Sequence, residues 1–145
     1  MPLSDFCKGP VFTVSPEDTA FRAGELMRDH RIGCLVVTKE DRPIGLLTDR
    51  DLVVRVMTER KDPLFTQVRD IMSMNPVVAA EGLGINDVIR LMKTHAIRRI
   101  PVVSGDGKLV GIITMDDLIG MMGTEMAGMG DAIIAELGQR PVIVT

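Results

Sequence analysis

The sequence predicts a mixed α/β (α+β) fold in which a β-α-β-β-α unit occurs twice. Three observations predict it: an internal duplication, helical periodicity between short extended apolar runs, and turn chemistry between paired strands. LMRDHRIGCLVVT at 26–38 meets LMKTHAIRRIPVV at 91–103. Leu26, Met27, His30, Ile32 and Val37 match Leu91, Met92, His95, Ile97 and Val102 at an offset of 65. IGLLTDRDL at 44–52 then meets VGIITMDDL at 110–118, where Gly45, Thr48, Asp51 and Leu52 match Gly111, Thr114, Asp117 and Leu118 at an offset of 66. Two blocks in the same order, one residue apart in register, read as a tandem repeat with one residue inserted in the second turn.

The first unit, residues 5–58, opens with an extended run at Val11–Val14 and a helix near Thr19–Asp29. Cys34–Thr38 and Ile44–Leu47 read as strands flanking a turn at Lys39–Arg42, and a helix follows from about Asp49 to Met57. Residues 59–67 are polar, contain Pro63 and read as the connector. The second unit, residues 68–122, starts with a short turn at Val68–Ser73 and an extended run at Pro76–Ala80. Ile85, Val88, Ile89 and Met92 fall at i, i+3, i+4 and i+7, one face of an amphipathic helix. Ile100–Val103, the turn Ser104–Gly107 and Leu109–Ile113 form a hairpin pattern. Thr114 is placed to cap the next helix. Residues 123–145 lie beyond the repeat; Asp131 is expected to cap a last short helix through Leu137, and Pro141–Thr145 to be extended.

Composition narrows the function classes. The 145 residues are 46% hydrophobic and 26% charged, as in a folded globular chain. Trp and Tyr are absent and only four Phe occur, which leaves no aromatic platform for stacking bases. The formal charge of −3 lacks the basic excess of a phosphate-backbone binder. Nucleic-acid binding is therefore disfavoured. Two cysteines, Cys7 and Cys34, are too few for a disulfide framework, and the expected compartment is the reducing cytoplasm. No signal peptide and no membrane-length apolar run is read.

The repeated chemistry is Gly-apolar-apolar-Thr-x-x-Asp at a strand-to-helix junction. A helix start offers unpaired N–H groups and a dipole that favours anions. The Thr adds a hydroxyl, and the Asp three residues later can accept from two neighbouring hydroxyls such as those of a ribose. The same residues can equally be plain helix caps, so on spacing alone Thr48–Asp51 and Thr114–Asp117 carry two readings.

Two β-α-β-β-α units bearing Arg98-Arg99-Ile100-Pro101-Val102-Val103 and the two GhhTxxDL blocks resemble a tandem pair of CBS domains, the family named after cystathionine β-synthase. VRDIMS at 68–73 resembles the segment that introduces the second domain of such pairs. The resemblance covers roughly residues 5–122. It implies a stand-alone regulatory CBS-pair protein, not an enzyme, with the repeats packed about a pseudo-twofold axis and two clefts for adenosine-containing ligands. The implied ligand is AMP, ADP, ATP or S-adenosylmethionine, with no catalytic cofactor and no metal. Carried over residue by residue, one cleft uses Thr48 and Asp51 with Val78, Ala79, Ala80, Ile100 and Pro101. The other uses Thr114 and Asp117 with Thr13, Val14, Leu35 and Val36. Arg98 and Arg99 stand where the family often places basic residues near ligand phosphates, whereas the matching first-repeat residues are Gly33 and Cys34. The Asp51 cleft is thus expected to bear the phosphate, with Arg50 and Arg55 as helpers.

The implied partners are the adenosine-type ligand, a second copy of the chain in a homodimer, and an effector protein that reads the bound state; no membrane is involved. A rival expectation is a ligand-independent dimerisation or partner-docking module. His30 and His95 read as helix-end residues, not zinc ligands, and Cys34 as core, not nucleophile. Five of the eleven Met lie between Met115 and Met129, a surface suited either to core packing or to a dimer interface.

Overall fold

The computed structural model describes residue 3 and residues 11–139. The chain divides into two compact units, residues 1–113 and 114–145. In the first, β1 (Thr13–Val14), α1 (Ala20–His30), β2 (Cys34–Lys39) and β3 (Arg42–Thr48) lead into α2 (Asp49–Leu52), which continues as a π-helical turn through Val53–Met57. After a 3₁₀ turn at Val68–Asp70 come β4 (Ser73–Met74), β5 (Ala79–Ala80), α3 (Ile85–His95), β6 (Arg99–Val103) and β7 (Leu109–Thr114). The final helix, α4, runs Met115–Gln139.

The result is the expected mixed α+β architecture with two small sheets. One has the order β1-β2-β3-β4 and the other β5-β6-β7. β1 runs parallel to β2 and β5 parallel to β6, each across its own helix. β2 carries Leu35, Val36 and Val37, all at most 1% exposed, so this strand is covered on both faces. Its core partners are Val14, Ala20, Ala23, Met27, Leu47, Val56, Val68 and Ile71. In the second repeat Ala79, Val88, Met92, Ile100, Val102 and Ile113 are buried.

The duplication is visible in backbone detail. α1 ends at Arg31 and α3 at Ala96, 65 residues apart, and both sit in the left-handed region at φ 54° and 52°. The next amides, Ile32 N and Ile97 N, donate to Met27 O and Met92 O at 3.1 and 3.0 Å. The first hairpin turns through Glu40 and Asp41, both at positive φ, as a two-residue loop demands. The second carries Gly105-Asp106-Gly107, with Gly107 at φ 82° and Ser104 N donating to Lys108 O at 2.9 Å. That third loop residue is the inserted one.

Three expectations are corrected. The extended runs at Val11–Val14 and Pro76–Ala80 shorten to two residues each, because only Thr13–Val14 and Ala79–Ala80 find a strand partner. Ser73–Met74, read as part of a turn or left without a structure, pairs with Gly45 and Leu46 as a fourth strand. Asp131 caps no separate helix: α4 is continuous from Met115 to Gln139. Its glycines cost about 1 kcal/mol each but do not individually stop a helix that also carries five Met and three Ala. Cys7 and Pro141–Thr145 lie outside the described residues.

The connector is tied down. Ala20 N donates to Thr66 O at 2.8 Å, Phe21 N to Pro63 O at 3.1 Å, and Val68 N to Asp18 O at 2.8 Å. The start of α1 therefore gives amides that no helical carbonyl can satisfy to the chain that follows α2. No helix among the described residues is long and apolar enough to cross a membrane.

Candidate functional site

Thr48 is the last residue of β3 and the N-cap of α2. Its hydroxyl oxygen accepts from Asp51 N at 3.2 Å, and Asp51 Oδ2 accepts from Thr48 N at 2.9 Å. This reciprocal pair is a capping box. Thr114 and Asp117, in the second unit, repeat it with two bonds of 3.1 Å. The cap reading of both motifs is thus realised, and it does not exhaust their chemistry. Thr48 accepts through its oxygen and keeps a hydroxyl proton to donate. A carboxylate offers about four lone-pair sites. Asp51 spends one on Thr48 N and turns Oδ1 toward Arg55 Nε at 3.7 Å.

A cavity of about 250 Å³ opens beside this box, lined by Leu46, Thr48, Asp51, Ser73, Ile97, Arg98 and Arg99. Its lining draws Thr48 and Asp51 from the first repeat and Arg98 and Arg99 from the second. Arg98 and Arg99 are carried there by the sharp end of α3 at Ala96, which leads directly into β6. Cys34, the register neighbour of Thr48 across β2 and β3, reports the same neighbourhood. Burial pushes its thiol up to about 11; Arg99 works against that shift, and Asp51 and Asp49 add to it. Cys34 is therefore protonated at neutral pH and a poor nucleophile.

The residues expected around this cleft divide. Thr48, Asp51, Arg98 and Arg99 line it, whereas Val78, Ala79, Ala80, Ile100 and Pro101 do not. Ala79, Ile100 and Pro101 are buried, and Val78 and Ala80 are exposed. Arg55 does not point a free charge at the cavity: its Nη1 donates to Ile71 O and Met72 O, each at 3.1 Å. Arg50 is exposed and not among the lining residues. Leu46, Ser73 and Ile97 line the cavity without having been singled out. Ser73 was signalled by the VRDIMS block that ends on it.

Of the second set, Thr13 lines a separate cavity of about 270 Å³ with Val11, Thr38, Asp41, Leu109 and Val110. Val14, Leu35 and Val36 are core, at most 3% exposed. A groove of about 500 Å³ lies along α1, α2 and the connector and is walled by Phe21, Leu52, Val56, Met57 and Pro63. It is mainly apolar, with Glu25, Arg28 and Lys61 on its lining, and lacks a Thr-Asp box. His30 ends α1 stacked on Phe12 at a centroid distance of 4.1 Å. No group of three or more His, Cys, Asp or Glu that could hold a metal ion occurs among the described residues.

Comparison with known proteins identifies the family. The CBS domain profile matches residues 3–58 and again residues 68–123. An uncharacterized protein of Methanopyrus kandleri, MK0525, is 40% identical over 118 residues, which cover 81% of this chain and 60% of that protein. The chain thus spans about three fifths of this relative's length. The CBS domain-containing protein YhcV of Bacillus subtilis is 37% identical over 127 residues, covering 87% of this chain and 89% of YhcV. Among solved structures, the CBS domain protein PAE2072 of Pyrobaculum aerophilum, complexed with AMP, superposes with a TM-score of 0.73. It is 25% identical, and the match covers 81% of this chain and 90% of that one. With two profile matches spanning most of its length and two sheets built by the same repeat, the chain belongs to the CBS domain family and carries the domain in tandem.

Proposed function

We propose that the chain is a regulatory module, not a catalyst, that binds an adenosine nucleotide in the cleft between Thr48–Asp51 and Arg98–Arg99. The observation that carries this reading is the single cavity holding both pairs. Asp51 accepts from the ribose hydroxyls, Thr48 donates its remaining proton, and Leu46 and Ile97 supply apolar contact for the base. Arg98 and Arg99 take the phosphate through charge-assisted bonds. A cavity of about 250 Å³ is smaller than most drug-sized pockets, which favours a mononucleotide such as AMP over a dinucleotide. The AMP carried by PAE2072 supports the ligand class. Binding acts on an effector protein in the cytoplasm by favouring one arrangement of the repeats, to the extent that AMP's affinity differs between arrangements.

Calorimetric titration of AMP and of adenosine into the wild type and into Arg98→Ala/Arg99→Ala tests the assignment. The double variant should weaken AMP by about 100-fold, in line with loss of charge-assisted bonds, and adenosine by less than about threefold. Equal losses for both ligands would remove the phosphate role. Wild-type protein that binds neither would favour a ligand-independent dimerisation or docking module.

A further inference from the structure

The groove along α1, α2 and the connector shares no lining residue with the cleft assigned to the nucleotide. All of its lining belongs to the unit 1–113. Its volume of about 500 Å³ lies within the roughly 300–1,000 Å³ typical of small-molecule pockets. A glycine deepens it. Gly24 sits inside α1, where glycine is a poor helix former. A Cβ built there would meet only Leu52 Cδ1, at 3.8 Å, which is an ordinary contact. Helix packing therefore does not demand the glycine, and what its missing side chain leaves is room between α1 and α2.

The far end of the groove carries a charge in an apolar place. The π-helical turn Val53–Met57, which supplies Val56 and Met57 to the wall, is closed by a Schellman motif. Lys61 N donates to Val56 O at 3.0 Å and Arg60 N to Met57 O at 3.2 Å, with Arg60 left-handed at φ 55°. In such a motif the residue at the place of Lys61 is frequently apolar and packs on the residue at the place of Val56. Here it is a lysine, and Lys61 and Val56 both line the groove. Among the described residues Lys61 forms no ion pair. Arg28, the other cation on the lining, is committed: its Nε donates to Asp29 Oδ1 at 2.9 Å, and its Nη2 lies 4.0 Å from Glu25 Oε2.

We propose that this groove is a second ligand site, for an amphipathic monocarboxylate, with a saturated acyl chain along the apolar walls and the carboxylate on Lys61. Charge selects the head group. Lysine is a compact point charge, and one uncommitted ammonium matches one carboxylate. A doubly charged phosphate would find no second uncommitted cation among the described lining residues. The lining also selects the body of the ligand. Apart from Glu25, Arg28 and Lys61 it holds no polar side chain, so a sugar or a second nucleotide would bury hydroxyls without partners, whereas an acyl chain has none to satisfy. The site does not depend on nucleotide binding at the Asp51 cleft.

Calorimetric titration of the full chain with decanoate, decanol and decylamine tests this. The wild type should bind decanoate with a Kd of about 10–100 μM and decylamine at least about tenfold more weakly. Lys61→Met, which keeps the length and removes the charge, should weaken decanoate about tenfold and leave decanol within about twofold. Gly24→Leu, which fills the groove, should weaken decanoate and decanol alike by at least about tenfold. Far-UV circular dichroism and thermal unfolding check that each variant folds; should Gly24→Leu fail, Gly24→Ala favours the helix and should give the same pattern with a smaller loss. Decylamine binding as tightly as decanoate, or Lys61→Met binding decanoate like the wild type, would overturn the proposal. So would undiminished binding to the folded glycine variant, which would place the chain elsewhere. A wild type that ignores decanoate would also overturn it. In that case a dimer that Phe21→Glu dissociates in sedimentation velocity would assign the groove to a second copy, and flotation with phosphatidylglycerol vesicles would assign it to a lipid surface.

Discussion

Replacing Asp51 by alanine and, separately, by asparagine separates its cap from its proposed ligand contacts. Alanine removes the acceptor for Thr48 N at 2.9 Å and the carboxylate facing Arg55 at 3.7 Å. The Thr48 cap itself remains, and the lost reciprocal hydrogen bond costs about 0.5–1.5 kcal/mol. The ion pair adds about 0–1 kcal/mol, because the Arg55 side chain is 47% exposed. The expected destabilisation is about 1–2 kcal/mol, a drop of roughly 3–8 °C for a chain of this size. Asparagine keeps an oxygen for Thr48 N and should hold stability within about 0.5 kcal/mol of the wild type. Both variants lose the charge and the lone pairs assigned to ribose, so both should weaken AMP by about 30–100-fold. Urea unfolding and calorimetric titration measure the two quantities independently. Asp51→Asn that is stable and still binds AMP like the wild type would refute the ribose role. Asp117→Ala abolishing AMP binding while Asp51→Ala spares it would move the site to the other repeat.

Other consequences are checked more simply. Gly45→Ala should destabilise by about 1–3 kcal/mol in urea unfolding, because its Cβ would stand 2.6 Å from Met72 Sδ and 2.9 Å from Ser73 O. Gly105→Ala, with open space at the same point, should change stability by less than about 0.5 kcal/mol. Arg99→Ala removes the group that lowers the Cys34 pKa, so alkylation of Cys34 should slow and its pH midpoint should rise above about 11. An unchanged rate would place Arg99 away from the thiol. Stability should also fall as pH rises from about 9 toward about 11, because the unfolded thiol ionises before the folded one, and Cys34→Ala should flatten that slope.

Much of the fold was legible because the repeat wrote it twice. The 65-residue offset located α1 and α3, and the change to 66 located the longer hairpin loop. Strand lengths were not legible at Val11–Val14 and Pro76–Ala80, since pairing depends on a partner that local sequence does not name. β4 escaped for the same reason: Ser73–Met74 has no alternation of its own and becomes a strand only by lying on Gly45 and Leu46. The continuity of α4 was hidden by its glycines, which as punctuation read as breaks. At the site, the Thr-x-x-Asp spacing gave both the cap and the carboxylate, and Arg98-Arg99 stood out as a charged pair. The lining by Ser73 and Ile97 comes from tertiary placement. So does the commitment of Arg55 to two carbonyls, since a surface arginine in sequence looks the same whether or not it is engaged.

That arginine ties two segments of the chain together. A single guanidinium holds the carbonyls of Ile71 and Met72 while facing the carboxylate of Asp51. The segment introducing the second repeat and the helix start of the first therefore share one charge. Whatever a bound molecule takes from Asp51 alters the balance at Arg55, and whatever shifts the 71–72 backbone alters it from the other side. Linkage makes the exchange symmetrical: a partner that grips this segment and strengthens nucleotide binding tenfold must itself be gripped tenfold more tightly when nucleotide is present. On the proposed function, Arg55→Ala should therefore reduce the coupling between nucleotide binding at Asp51 and the placement of residues 71–72 before it abolishes binding itself.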